Sequence, residues 1–140
     1  MPRSSWIMAL AVMLAIVPAN GAESGAGEGK AEFQTYCSPC HGNDGAGRGP
    51  LVKQLESAPP DLTKLSARAG GVYPAKQVRE RIEGLDMPSA HGTSEMPVWS
   101  HWFVREELAG STDLSDADQA ARNTNRRIDR LVKYLESIQK

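Results

Sequence analysis

The pentapeptide Cys-Ser-Pro-Cys-His at residues 37–41 constrains this chain more than any other stretch. A C-x-x-C-H pattern is the attachment site of a c-type haem, because two thiols three residues apart reach the two vinyl groups on one edge of the porphyrin. The histidine that follows is then held beneath the iron as its proximal ligand. The pattern therefore predicts one haem c, bound covalently through thioethers to Cys37 and Cys40, with His41 as an iron ligand.

Three other interpretations of C-x-x-C explain less of the sequence. The chain has 2 Cys in total, so no second pair completes a cysteine-rich zinc site. A thioredoxin-like redox site needs a βαβ context, and the flanking residues contain no β-branched, strand-like runs. A disulfide across so short a loop would constrain little chain entropy, and it leaves His41 without a role.

The amino-terminal segment has the layout of a secretory signal peptide. Arg3 supplies a short positive region, residues 6–17 form an uncharged apolar run, and small residues follow. We expect cleavage after Gly21 or Ala22, which removes residues 1–22 and delivers the protein to the periplasm. The alternative is a retained membrane anchor, which needs roughly 20 apolar residues. Because the apolar run is shorter than that, we expect no stable membrane insertion after cleavage.

The charge balance argues against some classes of partner. The chain has 16 Lys and Arg against 17 Asp and Glu, a formal net charge of −1, and loss of Arg3 would make it one unit more negative. Such a balance argues against nucleic acid and gives no reason to invoke a membrane surface. The basic residues Lys76, Arg79 and Arg81 are interpreted as a solvated face, with docking to a redox partner as the alternative.

Three stretches carry helical patterns. Gly29, Phe33 and Cys37 are four residues apart, so they share one face of a helix that ends at the pentapeptide. Residues 74–84 begin with proline and end with glycine, as helices often do. The longest pattern starts at Ser115, and its later basic residues suit the helix dipole. Because Gly29 has no side chain, we expect this last helix to cross the first one there. Its apolar stripe, in steps of four and three, consists of Ala117, Ala121, Thr124, Ile128, Leu131, Leu135 and Ile138.

Glycine and proline mark the irregular segments. Residues 23–28 are predicted to be a flexible mature amino terminus. Four glycines within residues 42–50 predict an irregular loop. Short helical turns are expected near residues 51–55 and after Asp61, which is a suitable cap. The folded domain is expected to span residues 29–140.

These features together resemble the small monohaem class I cytochromes c of bacteria. The resemblance implies an all-α fold, in which short helices surround one covalently attached haem. In that family a proline carbonyl accepts a hydrogen bond from the second nitrogen of the proximal histidine, and Pro50 occupies the matching position. The resemblance covers about residues 28–140 and rests on the first helix, the haem motif, and residues 49–51, 59–63, 91–92, 96–99 and 134–135.

The resemblance also assigns the second axial ligand. Met96 begins a Met-Pro-Val-Trp sequence that matches the family's ligand loop, so Met96 is expected to be the distal ligand. Met87, which also precedes a proline, is the alternative. His91 recurs in the family's loop without binding iron, and His101 has no matching role. The family usually has glycine after the tryptophan, whereas Ser100 stands here.

An aromatic stretch follows the ligand loop. Trp99, Trp102 and Phe103 are expected to form a lid over the haem, because aromatic rings bury large apolar areas. Residues 105–113, within the longer segment 104–114, are predicted to be a surface loop or a broken helix, without an assigned role.

With both axial positions filled by protein, no coordination site stays open for a substrate, and no nucleophile–base pair is evident. The sequence therefore predicts a monomeric periplasmic electron carrier rather than an enzyme. Its partners would be redox proteins, such as a dehydrogenase, a reductase or a terminal oxidase. Two alternatives stay open. One is a fixed haem subunit of a periplasmic oxidoreductase complex, and the other is a five-coordinate haem protein that binds a gas or turns over peroxide.

Overall fold

A computed structural model describes residues 21–85, 96–111, 113 and 115–140. All regular structure in these ranges is helical, which confirms the predicted all-α fold for this part of the chain. Within the same ranges, every helix is too short or too polar to cross a membrane. The α-helices are α1 (Gly21–Glu32), α2 (Ser38–His41), α3 (Leu65–Arg68), α4 (Ala75–Glu83), α5 (Trp99–Glu107) and α6 (Ser115–Ser137). Shorter turns are a π turn at Phe33–Cys37 and 3-10 turns at Val52–Gln54 and Leu62–Lys64.

Helix α1 begins earlier than its sequence pattern predicts. The pattern starts the first helix at Gly29, after the segment 23–28, whereas helical backbone extends from Gly21. Within the earlier segment, Oε2 of Glu28 lies 2.6 Å from Nε of Arg130 in α6. A partly exposed ion pair of this kind adds at most about 1 kcal/mol. This ion pair joins two helices that are distant in sequence, so the local sequence pattern does not predict it.

Helices α1 and α6 cross at Gly29, as predicted. A Cβ atom at this position would lie 2.2 Å from the backbone oxygen of Arg130 and 3.0 Å from Cβ of Tyr134. The two backbones are therefore in direct contact. One turn later, the ring of Phe33 packs against the ring of Tyr134, with their centroids 5.2 Å apart.

Between α1 and α2 the helix widens into the π turn. The backbone N–H of Ser38 donates to the carbonyl of Phe33, five residues earlier rather than four. A π turn of this kind amounts to one extra residue in a helix, and such turns are frequent at functional sites. Gly29 and Phe33 are buried, and Cys37 packs against the core. The predicted common face of these three residues is therefore kept.

Helix α4 matches its prediction closely. It ends at Gly84, whose φ of 79° is a left-handed conformation that favours glycine. Val78 and Ile82, one turn apart, are its buried residues. They belong to a core shared with α6 and α5. Among the described residues this core consists of Phe33, Val78, Ile82, Phe103, Ile128, Leu131, Tyr134 and Leu135.

The predicted stripe of α6 is correct in its later part only. From Thr124 onward its residues are buried or partly buried. Ala117 and Ala121 are exposed, and Ala120 is buried in their place. Three alanines within five residues give a weak pattern, because each adds little apolar area, so the contacts of the helix decide which one faces inward.

Candidate haem site

The pentapeptide lies at the end of the first helical segment. Cys37 closes the π turn, while Cys40 and His41 belong to α2. Both thiols are free and partly buried. Burial, together with the Glu32 carboxylate, raises the pKa of Cys37 to about 12, so this thiol is neutral near pH 7. One short helical segment thus presents two thiols and one imidazole, which is the donor set that haem c needs.

The glycine loop that follows folds back onto this segment. The backbone N–H of Gly49 donates to the carbonyl of Cys40 at 3.0 Å, and the N–H of Leu51 donates to the carbonyl of Pro39 at 2.9 Å. A Cβ atom on Gly49 would lie 2.3 Å from the Pro39 oxygen. The predicted irregular loop is therefore present, and it packs backbone against backbone on the haem motif.

His41 is partly buried, and its Nδ1 atom is buried without a hydrogen-bond partner. Burial lowers the pKa of His41, while the backbone carbonyl of Pro60 acts in the opposite direction. A histidine that binds a metal must be neutral, and burial favours that form. His41 therefore fits the role of an iron ligand.

The predicted bond between His41 and the carbonyl of Pro50 is wrong, because no acceptor bonds to Nδ1. Pro50 is exposed. Its neighbours Gly49 and Leu51 bond the backbone of α2, and this pairing sets the direction of the turn. The direction of a carbonyl depends on such tertiary contacts, which sequence spacing does not contain.

Met96 lies three residues before the start of α5 and is partly buried. It packs against the same apolar core as Cys37. The alternative ligand Met87, and also His91, fall outside the described residues. His101 is described, and it is exposed on α5.

The aromatic residues after Met96 divide into an inner and an outer group. Trp99 stacks on Phe103 with ring centroids 5.8 Å apart. Tyr36 meets both rings edge-on, at 5.7 and 5.3 Å. Trp102 lies outside this cluster and is 47% exposed, so the three predicted lid residues do not pack as one group, and only Trp99 and Phe103 stack on each other. Nε1 of Trp102 donates instead to a carboxylate oxygen of Glu106 at 3.0 Å.

Ser100 has a role that the sequence pattern does not predict. Its hydroxyl donates to the backbone carbonyl of Glu83, in the last turn of α4, at 2.9 Å. Beside this bond, Val98 approaches Gly84 so closely that an added Cβ would lie 2.8 Å from its methyl groups. A hydrogen bond and a close packing contact therefore hold the start of α5 against the end of α4.

Arg127 is a second residue whose role the sequence pattern does not predict, because it is one of the later basic residues of α6 that suit the helix dipole. Its side chain is only 12% exposed. Its guanidinium donates to both carboxylate oxygens of Glu32, at 2.8 and 3.0 Å, and to Glu106 at 3.1 Å. The same group lies 4.0 Å above the ring centroid of Phe103 and 5.3 Å from that of Tyr36.

A sequence signal for Arg127 did exist. The residue is three positions after Thr124 and four before Leu131, and both of these are buried. An arginine at the spacing of an apolar stripe is a candidate for a buried ion pair, because a buried charge needs partners.

One known protein family matches most of the residues described above. A family model described as Cytochrome c matches residues 26–139. No curated protein and no solved structure gives a match. The matched range includes the pentapeptide, Met96 and helices α2 to α6.

Proposed function

This chain belongs to the cytochrome c family, and on that premise we propose that it is a periplasmic carrier of single electrons, with His41 and Met96 as axial ligands. Members of the family bind haem c covalently and are generally electron carriers rather than enzymes. The bound haem iron supplies the chemistry, which is the exchange of one electron between its ferrous and ferric states.

The observation that carries the proposed ligand pair is the burial of Met96 against the core that also contacts Cys37. A thioether that faces the same interior as the attachment motif supports Met96 as the second ligand. Methionine in that position favours a raised reduction potential, as in other cytochromes with His/Met ligation.

Ligation by both residues supports a carrier over the five-coordinate alternative, because no coordination site would then be open to a gas or to peroxide. Binding of carbon monoxide to the native ferrous protein at neutral pH separates the two functions. We expect little binding, and a tight complex would favour the gas-binding or peroxidatic protein. Co-purification with a dehydrogenase or an oxidase would favour a fixed subunit over a diffusing carrier.

The ligand proposal is tested by spectra of the oxidised protein. We expect the weak iron–sulfur charge-transfer band to be present in the native protein and in Met87→Ala, and to be absent in Met96→Ala, because only Met96 would bind the iron. Both variants are to be compared at equal haem content. Loss of the band in Met87→Ala alone would assign the distal site to Met87.

The proposed location is tested by the mass of the mature protein. Cleavage of the predicted signal peptide would leave a periplasmic protein that begins at Ala22 or Glu23. Mass spectrometry of the periplasmic fraction is expected to find one of these termini together with one haem. A haem-bearing protein that keeps residues 1–22 in the membrane fraction would contradict both cleavage and release.

A further inference from the structure

The direction of the Met96 side chain depends on the position of α5. Met96 is separated from Trp99, the first residue of α5, by Pro97 and Val98 only. Proline fixes one of the two soft backbone angles at its position, so this connection is short and stiff. A displacement of α5 would therefore be transmitted to Met96.

Helix α5 is attached to the crossing of α1 and α6 through the guanidinium of Arg127. This cation contacts two successive carboxylates of α5, Glu106 at 3.1 Å and Glu107 at 3.5 Å, and one of α1, Glu32 at 2.8 Å. It also covers the face of the fully buried ring of Phe103. One side chain thus joins three helices at a single point.

The carboxylates around Arg127 would repel one another without it. The side chains of Glu32, Glu106 and Glu107 are 17%, 37% and 24% exposed, so water screens them only in part. Removal of one partner from a buried charge cluster leaves the remaining charges uncompensated. Since two of the three carboxylates belong to α5, their repulsion from Glu32 would move α5 away from α1.

We propose that Arg127 is a positioning residue for the distal ligand, which keeps α5 against α1 and α6 and thereby keeps the thioether of Met96 directed at the iron. This inference rests on the proposed His41/Met96 ligation. Arg127 itself is not a ligand, and its effect is on the ease with which Met96 is displaced.

The test measures how readily imidazole displaces Met96 from the ferric holoprotein, followed by loss of the iron–sulfur band. We compare Arg127→Met with Arg79→Met, because Arg79 also pairs with acidic residues between two helices, Glu83 of α4 and Asp129 of α6. The affinity for imidazole is expected to rise at least about fivefold in Arg127→Met relative to Arg79→Met. Both variants are measured where circular dichroism shows them fully folded.

Two milder variants keep the test decisive if Arg127→Met does not fold. Arg127→Lys retains the charge but loses the two-pronged bond to Glu32 and the planar stacking on Phe103. Glu106→Gln removes the charge of one α5 partner, and Glu28→Gln is its control, because Glu28 joins α1 to α6 through Arg130 and takes no part in the Arg127 cluster. We expect tighter imidazole binding in Arg127→Lys and in Glu106→Gln than in Glu28→Gln.

Two other outcomes are distinct. If the native protein shows the iron–sulfur band, and imidazole affinity in the Arg127 and Glu106 variants stays within about twofold of their controls, Arg127 has a purely structural role and the inference is wrong. If the native protein shows no such band, the ligation proposal itself fails, and the inference fails with it.

Discussion

At the scale of single residues, Gly29 sets the distance between α1 and α6. A Cβ atom added at Gly29 would lie 2.2 Å from the backbone oxygen of Arg130. A backbone atom cannot move aside as the end of a flexible side chain can. Any larger residue must push the two helices apart. The haem motif begins eight residues further along the same helical segment, so the crossing bears directly on the site.

We expect Gly29→Ala to lower the free energy of unfolding by about 1–3 kcal/mol, the range typical of overpacking. Gly27→Ala is the matched control in the same helix, because nothing lies within 4 Å of its Cβ position. It should be neutral or raise stability by up to about 1 kcal/mol through better helix propensity. Urea titrations followed by circular dichroism measure both, and equal effects would mean that the crossing can relax.

At the scale of elements, α5 is the helix whose attachments matter most to the site. Ser100 joins its first turn to α4 through a hydrogen bond, and Arg127 of α6 joins its last turn to α1 and α6 through ion pairs. The sequence predicts a loop or a broken helix from residue 105, whereas α5 continues to Glu107. The two glutamates that end it have partners in other helices, and no local pattern shows those partners.

Replacement of Ser100 by alanine is expected to lower the free energy of unfolding by about 1 kcal/mol, because the hydrogen bond to the Glu83 carbonyl is lost. Ser137→Ala is the control. That hydroxyl donates at 2.6 Å to the carbonyl of Tyr134 within its own helix, so it joins no two elements. Urea unfolding of the two holoproteins gives the comparison. An effect of Ser100→Ala no larger than that of Ser137→Ala would show that the bond adds nothing to the attachment of α5.

At the scale of the whole molecule, carboxylates held by hydrogen bonds make stability depend on pH. Burial alone would raise the pKa of Glu106, but bonds from Tyr36, Trp102 and Arg127 outweigh it, so the pKa lies below its ordinary value of 4.5. The unfolded chain therefore takes up a proton first as pH falls. The contribution of Glu106 is complete above pH 4.5 and is lost as the pH falls through the lowered pKa.

We accordingly expect the free energy of unfolding to fall between pH 5 and pH 3, and to fall less steeply in Glu106→Gln, which has no proton to gain there. The two proteins should differ most near neutral pH and converge in acid. Urea titrations at several pH values measure the two slopes. Identical slopes would show that Glu106 has the same proton affinity in the folded and unfolded chains.

The sequence predicts a feature correctly where a particular residue type at a particular spacing determines the chemistry or the backbone geometry. The pentapeptide, the crossing at Gly29, the end of α4 at Gly84 and the later stripe of α6 are of this kind. The direction of the Pro50 carbonyl and the burial of Arg127 are not. Both depend on which distant segments pack against them, and a single sequence does not record those contacts.

The π turn at Phe33–Cys37 has a consequence for deletions. It holds one residue more than an α-helical turn needs, so removal of Thr35 would let the segment return to ordinary helical bonding with no break in the helix. Each residue of an α-helix turns the side chains that follow by about 100°, and the wide turn absorbs that rotation for its one extra residue. The pentapeptide would then keep its five letters, its spacing and the side of the molecule that it faces. A deletion from the regular part of α1 between Gly29 and Phe33 has no such turn to absorb it, so it would rotate Gly29 by about 100° relative to the two thiols.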